Sequence, residues 1–350
     1  MIRALENQVR RGATACWLST AMLIVACLCP IGCDRNEAQP DPQRTFERKR
    51  FEEGLLSIET WLAKGKPAEA EVVARRLVEL DPQSVEALES HGRCLVVLAA
   101  VRRSEGSNDE TQRLHALASE RYQAAVLHSG DSPRPSLLHE AGIATTAAGE
   151  YERALSFHSR AAELESTNAT HAIFTGNLLT RMKRPTEATP WFQQATQINP
   201  NEPWGWAGLA ETRRQEKDYP AALEAIRGAR DCAPANTNFR VAEARILRES
   251  SRGREAAMLL FAVEPKERAT RLVTEELAAA CTQIGDHQRA AEAWEAVHTH
   301  NPEDLDAMTE AALAWVHAGN NERAASWLNA AEEAGAAPDQ VQRVRDQLAP

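Results

Sequence analysis

Small and apolar side chains recur along most of this chain with a period of 34 residues. One position of the period is alanine six times in strict register, and Ala70 and Ala118 continue the series once extra residues are allowed around the second unit. The six are Ala154, Ala188, Ala222, Ala256, Ala290 and Ala324. Apolar positions within a period lie three or four residues apart, which is the spacing of one helical face, whereas strand-like alternation is absent over any useful length. The pattern predicts an all-α array of stacked helical hairpins.

Two further positions of the repeat predict how the two helices of a hairpin pack. The first half of the period carries a nearly invariant small residue: Gly92, Gly142, Gly176, Ala210, Ala244, Ala278 and Ala312. Four residues after the alanine comes a bulky one: Tyr122, His158, Phe192, Ile226, Leu260, Trp294 and Leu328. We expect the small position to let the helices approach closely and the bulky side chain to fill the gap toward the next unit.

Glycine and proline mark the ends of the predicted helices. Gly65, Gly149, Gly285 and Gly319 lie midway through their periods, where a left-handed residue ends the first helix. Proline closes four of the periods, where it separates one unit from the next.

Together these positions resemble the tetratricopeptide repeat family over about residues 51–338. The resemblance implies a right-handed α-solenoid of about eight tandem helix-turn-helix units occupying residues 45–350. The second unit is longer than the others, and we expect its insertion, near residues 104–119, to be an exposed loop. Residues 338–349 place Val341, Val344 and Leu348 on one face, which predicts a C-terminal capping helix with a polar outer side.

The N-terminal residues predict that the protein is located outside the cytoplasm. Three arginines precede an uncharged run that ends at Cys33, so residues 1–33 resemble a bacterial lipoprotein signal, with Cys33 as the lipidated residue and Cys27 as the alternative. The run is also just long enough for an uncleaved transmembrane anchor. Residues 34–44 are polar and carry prolines, which predicts a tether. Either reading places the protein in the periplasm or cell envelope, attached to an inner or outer membrane.

Composition and motifs favour a binding protein over an enzyme. Residues 1–33 hold three Arg and one Glu, so the rest of the chain carries −12 against −10 for the whole, which argues against a nucleic-acid partner. Nucleotide-binding glycine loops, HExxH and GxSxG are absent, and we expect no cofactor. His298 and His300 are predicted to lie in a surface turn. The three cysteines after Cys33 (Cys94, Cys232 and Cys281) fall in different units and are predicted to be buried and unbridged.

The family resemblance also implies a concave groove, lined by the first helices of the units, that receives a partner segment. Its central positions carry Asn177, Arg181, Trp204, Arg214, Arg245 and Arg248. Because arginine forks suit carboxylates, these residues predict binding of an acidic segment or a chain terminus. The alternative is that the arginines pair with Glu211, Glu243 and Glu249 of the same chain. Trp204 is a candidate exposed anchor, and Trp206 a candidate core residue.

The sequence therefore predicts a non-enzymatic protein–protein interaction scaffold or adaptor, tethered to a membrane. An envelope or pilus assembly factor and a protease adaptor are alternatives on the same fold. A glycan- or peptidoglycan-binding module is a further alternative, which the aromatic content of 5% disfavours.

Overall fold

The structure of the protein is a computed structural model that describes residues 42–348, with side chains from residue 47. Every regular element in this range is a helix, which confirms the all-α class. The helices are α1 (Pro42–Ala63), α2 (Pro67–Leu80), α3 (Val85–Ser104), α4 (Asn108–His128), α5 (Pro135–Ala148), α6 (Tyr151–Leu164), α7 (Ala169–Arg181), α8 (Pro185–Ile198), α9 (Pro203–Gln215), α10 (Tyr219–Cys232), α11 (Thr237–Glu249), α12 (Gly253–Phe261), α13 (Pro265–Arg268), α14 (Arg271–Gln283), α15 (His287–His300), α16 (Leu305–His317), α17 (Asn321–Glu333) and α18 (Pro338–Leu348).

The predicted signal or anchor, including Cys33 and Cys27, lies outside the described residues. Helix α1 begins at Pro42, so the last three residues of the predicted tether are helical. From Arg50 onward the chain forms one compact unit that carries the repeats. Within residues 42–348 no helix is both long enough and apolar enough to cross a membrane.

Sixteen of the described helices pair in sequence into eight hairpins, each with a first and a second helix. The first hairpin is α1 with α2, whose Ile58 and Leu77 share one core cluster. The sixth hairpin is α11 with α12, and the eighth is α16 with α17. Consecutive hairpins pack on each other along the chain, as a solenoid requires. The predicted glycines lie in the left-handed region, with φ of 70° at Gly65 and 87° at Gly149.

The small and bulky positions of the repeat meet inside each hairpin. A Cβ atom added to Gly176 would lie 2.8 Å from the Phe192 ring, and one added to Gly142 would lie 2.4 Å from the His158 imidazole. Phe192 also lies against Gly208 of the next unit, where a Cβ would come within 2.1 Å. The Phe192 side chain therefore packs against the first helix of its own hairpin as well as against the next unit, as expected for the latter. All eight alanines of the register are at most 1% exposed.

The insertion in the second unit is helical, and the prediction of a loop there was wrong. Helices α3 and α4 contain 20 and 21 residues, against 13 or 14 in most other units, so the hairpin is lengthened on both sides of a short turn at Glu105–Ser107. Ala99 and His115 are buried between the two helices. Apolar positions at helical spacing continue through the insertion, and these give the two helices enough contact to extend together.

The sixth and eighth units end differently from the others. The sixth lacks a closing proline, and the eighth is followed by the single helix α18. In the sixth unit Pro265 prevents continuation of the second helix, and α12 ends at Phe261 after nine residues. At the C-terminus α18 packs Val341 and Val344 against Met308 and Leu328, with its remaining face polar. A helix with one buried apolar face therefore lies where the sequence predicts the cap.

The three cysteines in the described residues are free. Cys94 and Cys281 are buried, and burial raises the pKa of their thiols to about 12 and about 11 respectively. Cys232 is only half-buried, with its Sγ 3.3 Å from the carbonyl oxygen of Pro200. The prediction of burial therefore holds for the first two cysteines and only in part for the third.

Candidate partner-binding groove

The predicted groove residues lie on the first helices α7, α9 and α11, whose starts are set by side-chain caps. Asn168, Glu202 and Asn236 each accept a hydrogen bond from the backbone N–H two residues on, at 3.0, 3.4 and 3.1 Å. The three helices begin in the same phase of the 34-residue period. Equivalent positions therefore fall on one face in successive units, which we call the groove face: Asn177, Thr180 and Arg181 of α7, Trp204, Glu211 and Arg214 of α9, and Arg245, Arg248 and Glu249 of α11.

Arg214 is held by two carboxylates. Its Nε and Nη2 donate to Glu211 at 2.9 and 2.8 Å, and its Nη1 donates to Glu249 on the next first helix at 2.7 Å. The hydrogen bonds to Glu211, with those to Glu249, raise the pKa of Arg214 above its usual range. Burial by itself would raise the pKa of Glu211, but the hydrogen bonds from Arg214 and Gln215 outweigh it and lower that pKa.

Arg245 and Arg248 both bind Glu276, a carboxylate on α14 that the sequence analysis did not single out. The Nε atoms of the two arginines lie 3.1 and 2.5 Å from the Glu276 oxygens, and the Glu276 side chain is only 6% exposed. Ion pairs thus run from α9 through α11 to α14 and join the first helices of units five, six and seven. Because a buried carboxylate is costly without partners, Glu276 depends on both arginines, which are therefore engaged within the chain.

Arg214, Arg245 and Arg248 pair with carboxylates of the same chain, as the alternative predicted, but not all of the predicted partners are correct. Arg214 pairs with Glu211 and Glu249 as considered, whereas Glu243 pairs with Arg227 and Arg230 of α10. Those two arginines lie on a second helix, away from the groove face. Glu276 could have been found by comparing neighbouring rows of the repeat, since it stands 28 and 31 residues after the two arginines it binds.

Asn177, Arg181 and Trp204 are placed differently from the paired arginines. Arg181 is exposed and has no carboxylate partner among the described residues; its guanidinium lies 5.0 Å from the centroid of the Tyr151 ring. Asn177, one turn earlier on α7, makes no side-chain hydrogen bond within that range. Trp204 is half-buried, with its ring edge-to-face on Phe239 at 5.4 Å, so only part of it is accessible as an anchor.

The remaining candidate residues are structural. Trp206 is half-buried as a partial core residue, packs against Gly228, and donates from Nε1 to the carbonyl oxygen of Pro200 at 2.8 Å. His298 and His300 lie in the last turn of α15 rather than in a turn between helices, so that prediction was wrong. Among residues 42–348, no group of three His, Cys, Asp or Glu side chains has the arrangement of a metal site.

The fold is that of a tetratricopeptide repeat solenoid protein. Residues 283–340 match the model of the tetratricopeptide repeat family. A crystal structure of a tetratricopeptide repeat protein from Parabacteroides merdae superposes with a TM-score of 0.51 at 16% identity, covering 74% of this chain and 99% of that one.

The chain is similar to the type IV pilus assembly protein PilF of Pseudomonas aeruginosa. The two sequences are 24% identical over 198 residues, which is 56% of this chain and 71% of PilF. A solved structure of PilF from that organism superposes with a TM-score of 0.46 at 20% identity, covering 65% of this chain and 96% of PilF.

Proposed function

We propose that this protein is a non-enzymatic interaction scaffold that binds an extended segment of a partner protein along the groove face. The fold is of a class that typically serves protein interaction. The observation that supports this use of the groove face is the contrast between its two parts. In units five to seven the charges of Arg214, Arg245 and Arg248 are matched by carboxylates of the chain, whereas in unit four Arg181 is exposed and unmatched.

The unmatched part of the groove face has the chemistry for a carboxylate. Arg181 offers a guanidinium that stacking on Tyr151 holds in place, and Asn177 offers an amide one turn away. The exposed part of Trp204 supplies apolar contact on the next first helix. We therefore propose an acidic segment or chain terminus as the ligand, read mainly by Asn177, Arg181 and Trp204. Arg214 and Arg248 act indirectly, through the ion pairs that link α9, α11 and α14.

In vivo photo-crosslinking from the groove face tests this function. A photoreactive residue at Thr180 is expected to capture a discrete partner protein, and Arg181→Glu in the same chain should abolish the adduct. The matched control is Arg76→Glu, which reverses an exposed arginine on the second helix α2 and should leave the adduct unchanged. An adduct that survives Arg181→Glu, or one that forms equally from a photoreactive residue at Glu120 on α4, would contradict the proposal.

A role in pilus assembly is a second candidate, and the similarity to PilF favours it. PilF is named as an assembly protein for type IV pili, and the aligned region covers most of its length. On this alternative the partner in the groove is a subunit of an envelope machine. Deletion of the gene should then abolish surface pili, and Arg181→Glu should reproduce the loss. Normal piliation in the deletion strain would rule the alternative out.

We also propose that residues 1–33 attach the protein to a membrane outside the cytoplasm, through a lipid on Cys33. Replacing Cys33 by Ala should move the protein from the membrane fraction to the soluble fraction and abolish sensitivity to inhibition of lipoprotein processing. Unchanged membrane attachment in that variant would favour Cys27 or an uncleaved anchor, which Cys27→Ala would then distinguish.

A further inference from the structure

A cleft of about 500 Å³ opens beside the shortened second helix of unit six, far in sequence from the groove residues of unit four. Met258 and Phe261 of α12 form one wall, and Ile284, in the turn after α14, forms the other. Arg254, Asp286 and Arg289 are the charged residues that line it. The apolar wall is open to solvent: Met258 is 67% exposed and Ile284 39% exposed.

The apolar residues of this cleft are an exception within the repeat. Met258 and Phe261 occupy two outward positions of the second helix that are otherwise without a large apolar side chain in units two to eight. The residue pairs at these positions are Glu120 and Gln123, Ser156 and Ser159, Pro190 and Gln193, Glu224 and Arg227, Glu292 and Glu295, and Ser326 and Asn329. Units two to five, seven and eight keep this face polar, as a solvated surface does, and unit one carries Val72 and Arg75 there. Unit six has apolar side chains at both positions, which indicates a surface that is covered in use.

Cations surround the apolar wall. Arg289 lies 5.5 Å and Arg268 lies 5.9 Å from the centroid of the Phe261 ring, and Nη1 of Arg268 also donates to the Phe261 carbonyl at 2.6 Å. Arg254 is exposed and has no carboxylate partner among the described residues. Asp286 pairs with Arg289 at 3.2 Å and is the one acid that lines the cleft. Two arginines and one aspartate line the cleft, so its lining carries a net positive charge on a chain whose formal charge is −10.

We propose that this cleft docks an acidic amphipathic segment of a second partner protein. A bulky apolar side chain of that segment covers Met258 and Phe261, and a neighbouring carboxylate pairs with Arg254. A purely apolar occupant would leave Arg254 without a partner, and a basic one would be repelled by Arg254 and Arg289. Because the cleft lies on second helices, its occupant does not compete for the groove face. The proposal therefore holds or fails independently of the groove.

Selection from a phage-displayed library of random twelve-residue peptides tests the proposal on the full-length protein. The library is selected on the wild-type protein and depleted on the double variant Arg254→Glu/Met258→Asp. Both side chains are exposed, so the double variant should keep its fold, and circular dichroism checks that it does. Surviving peptides should carry Asp or Glu beside Leu, Met, Phe or Trp.

Binding of a synthetic copy of the most enriched peptide is then measured by fluorescence anisotropy. We expect the double variant to weaken it roughly tenfold or more, since charged and apolar anchors dominate such interfaces. The matched control is Arg76→Glu/Ser326→Asp, which makes the same changes of charge on other second helices and should leave affinity unchanged. The proposal is overturned if no peptide survives depletion, if survivors are basic, or if the control weakens binding equally.

Discussion

At the scale of single residues, the turn inside each hairpin depends on one left-handed position. Its φ is positive in six successive units, at 87° for Gly149 and 78° for Gly285, and also at 61° for Lys183, 63° for Lys217 and 64° for Ser251. The glycines were predicted from the sequence, but the three other residues were not. The period of 34 already contained them, since each stands one or more full periods after Gly149.

Replacing Lys217 by Gly should stabilise the protein. A side chain in the left-handed region costs roughly 1–2 kcal/mol, and the extra freedom of glycine in the unfolded chain offsets about 0.5–1 kcal/mol of the gain. We expect a net gain of about 0.5–1 kcal/mol in the free energy of unfolding, measured by urea denaturation. Gly285→Ala is the converse control and should destabilise. A loss of stability in Lys217→Gly would contradict the strain argument, since Lys217 is exposed and makes no ion pair among the described residues.

Also at this scale, the glycines of the first helices exist for close packing and not for backbone freedom. Alanine in place of a helical glycine normally stabilises by roughly 1 kcal/mol. At Gly176 the new Cβ would meet the buried Phe192 ring at 2.8 Å, so we expect Gly176→Ala to destabilise instead, by about 1–3 kcal/mol. Adding Phe192→Leu, which removes the ring, should recover part of the loss in a double-mutant cycle. Strictly additive effects would show that the two residues do not compete for space.

At the scale of elements, a cluster of histidines lies where α5, α6 and α7 meet. The His139 ring is 5.5 Å from His158 and 5.0 Å from His171, and it meets Phe174 at 4.5 Å. His171 Nε2 lies 2.9 Å from the carboxylate of Glu165, while the Nδ1 atoms of all three histidines are buried without a hydrogen-bond partner. Burial, with the other imidazoles nearby, lowers the pKa of His158 to about 3 and that of His139 to about 4.

This cluster should make stability fall as the pH falls from 6.5 toward 4. In that range the unfolded chain binds protons at His139 and His158 that the folded protein does not bind, because their pKa values are lowered. Each proton bound only by the unfolded chain costs about 1.4 kcal/mol per pH unit. Well above pH 6.5 the imidazoles of His139 and His158 are neutral in both states, so their contribution is constant. His158→Phe, which copies the Phe192 and Gly176 arrangement one period on, should reduce the slope of unfolding free energy against pH.

The matched control for this pH dependence is His128→Phe, because His128 is exposed at the end of α4. It should leave the slope unchanged. The explanation fails if His158→Phe and the wild-type protein lose stability in parallel between pH 6.5 and 4.5.

At the scale of the whole array, stability should come from contacts between neighbouring units and from the cap at its C-terminal end. Each hairpin touches the hairpins before and after it, so an end unit has one neighbour fewer. Helix α18 replaces that neighbour for unit eight by burying Val341 and Val344.

Truncation after Ala337 should therefore unfold the C-terminal end and expose Met308 and Leu328. Burial of two valines corresponds to about 3–6 kcal/mol, and we expect a lower urea midpoint together with self-association in light scattering. Gln342→Ala, on the exposed side of α18, is the control and should change neither measurement. A truncated chain that stays monomeric with an unchanged midpoint would show that the cap contributes nothing.

Most features that lie within one repeat unit could be predicted from the sequence, whereas contacts between units could be predicted only in part. Ala118 was correctly placed in the alanine register of the second unit. The extra residues before it were predicted to form a loop, because a change of period does not show whether the added residues lengthen the loop or the helices. The groove residues were assigned to the correct first helices. Their ion pairs were assigned only in part, because Glu276 reaches Arg245 and Arg248 from the neighbouring unit.

The sequence by itself determined the all-α class, the eight hairpins and the positions that pack inside each. A helix repeats every 3.6 residues and a stacked unit repeats every 34. Positions that must be buried therefore recur in the sequence as small or apolar residues at those spacings. The tertiary structure alone decided which charges of the groove face are matched and that an apolar cleft opens beside Phe261. Both depend on contacts between side chains of different units, and such contacts leave no pattern in the local sequence.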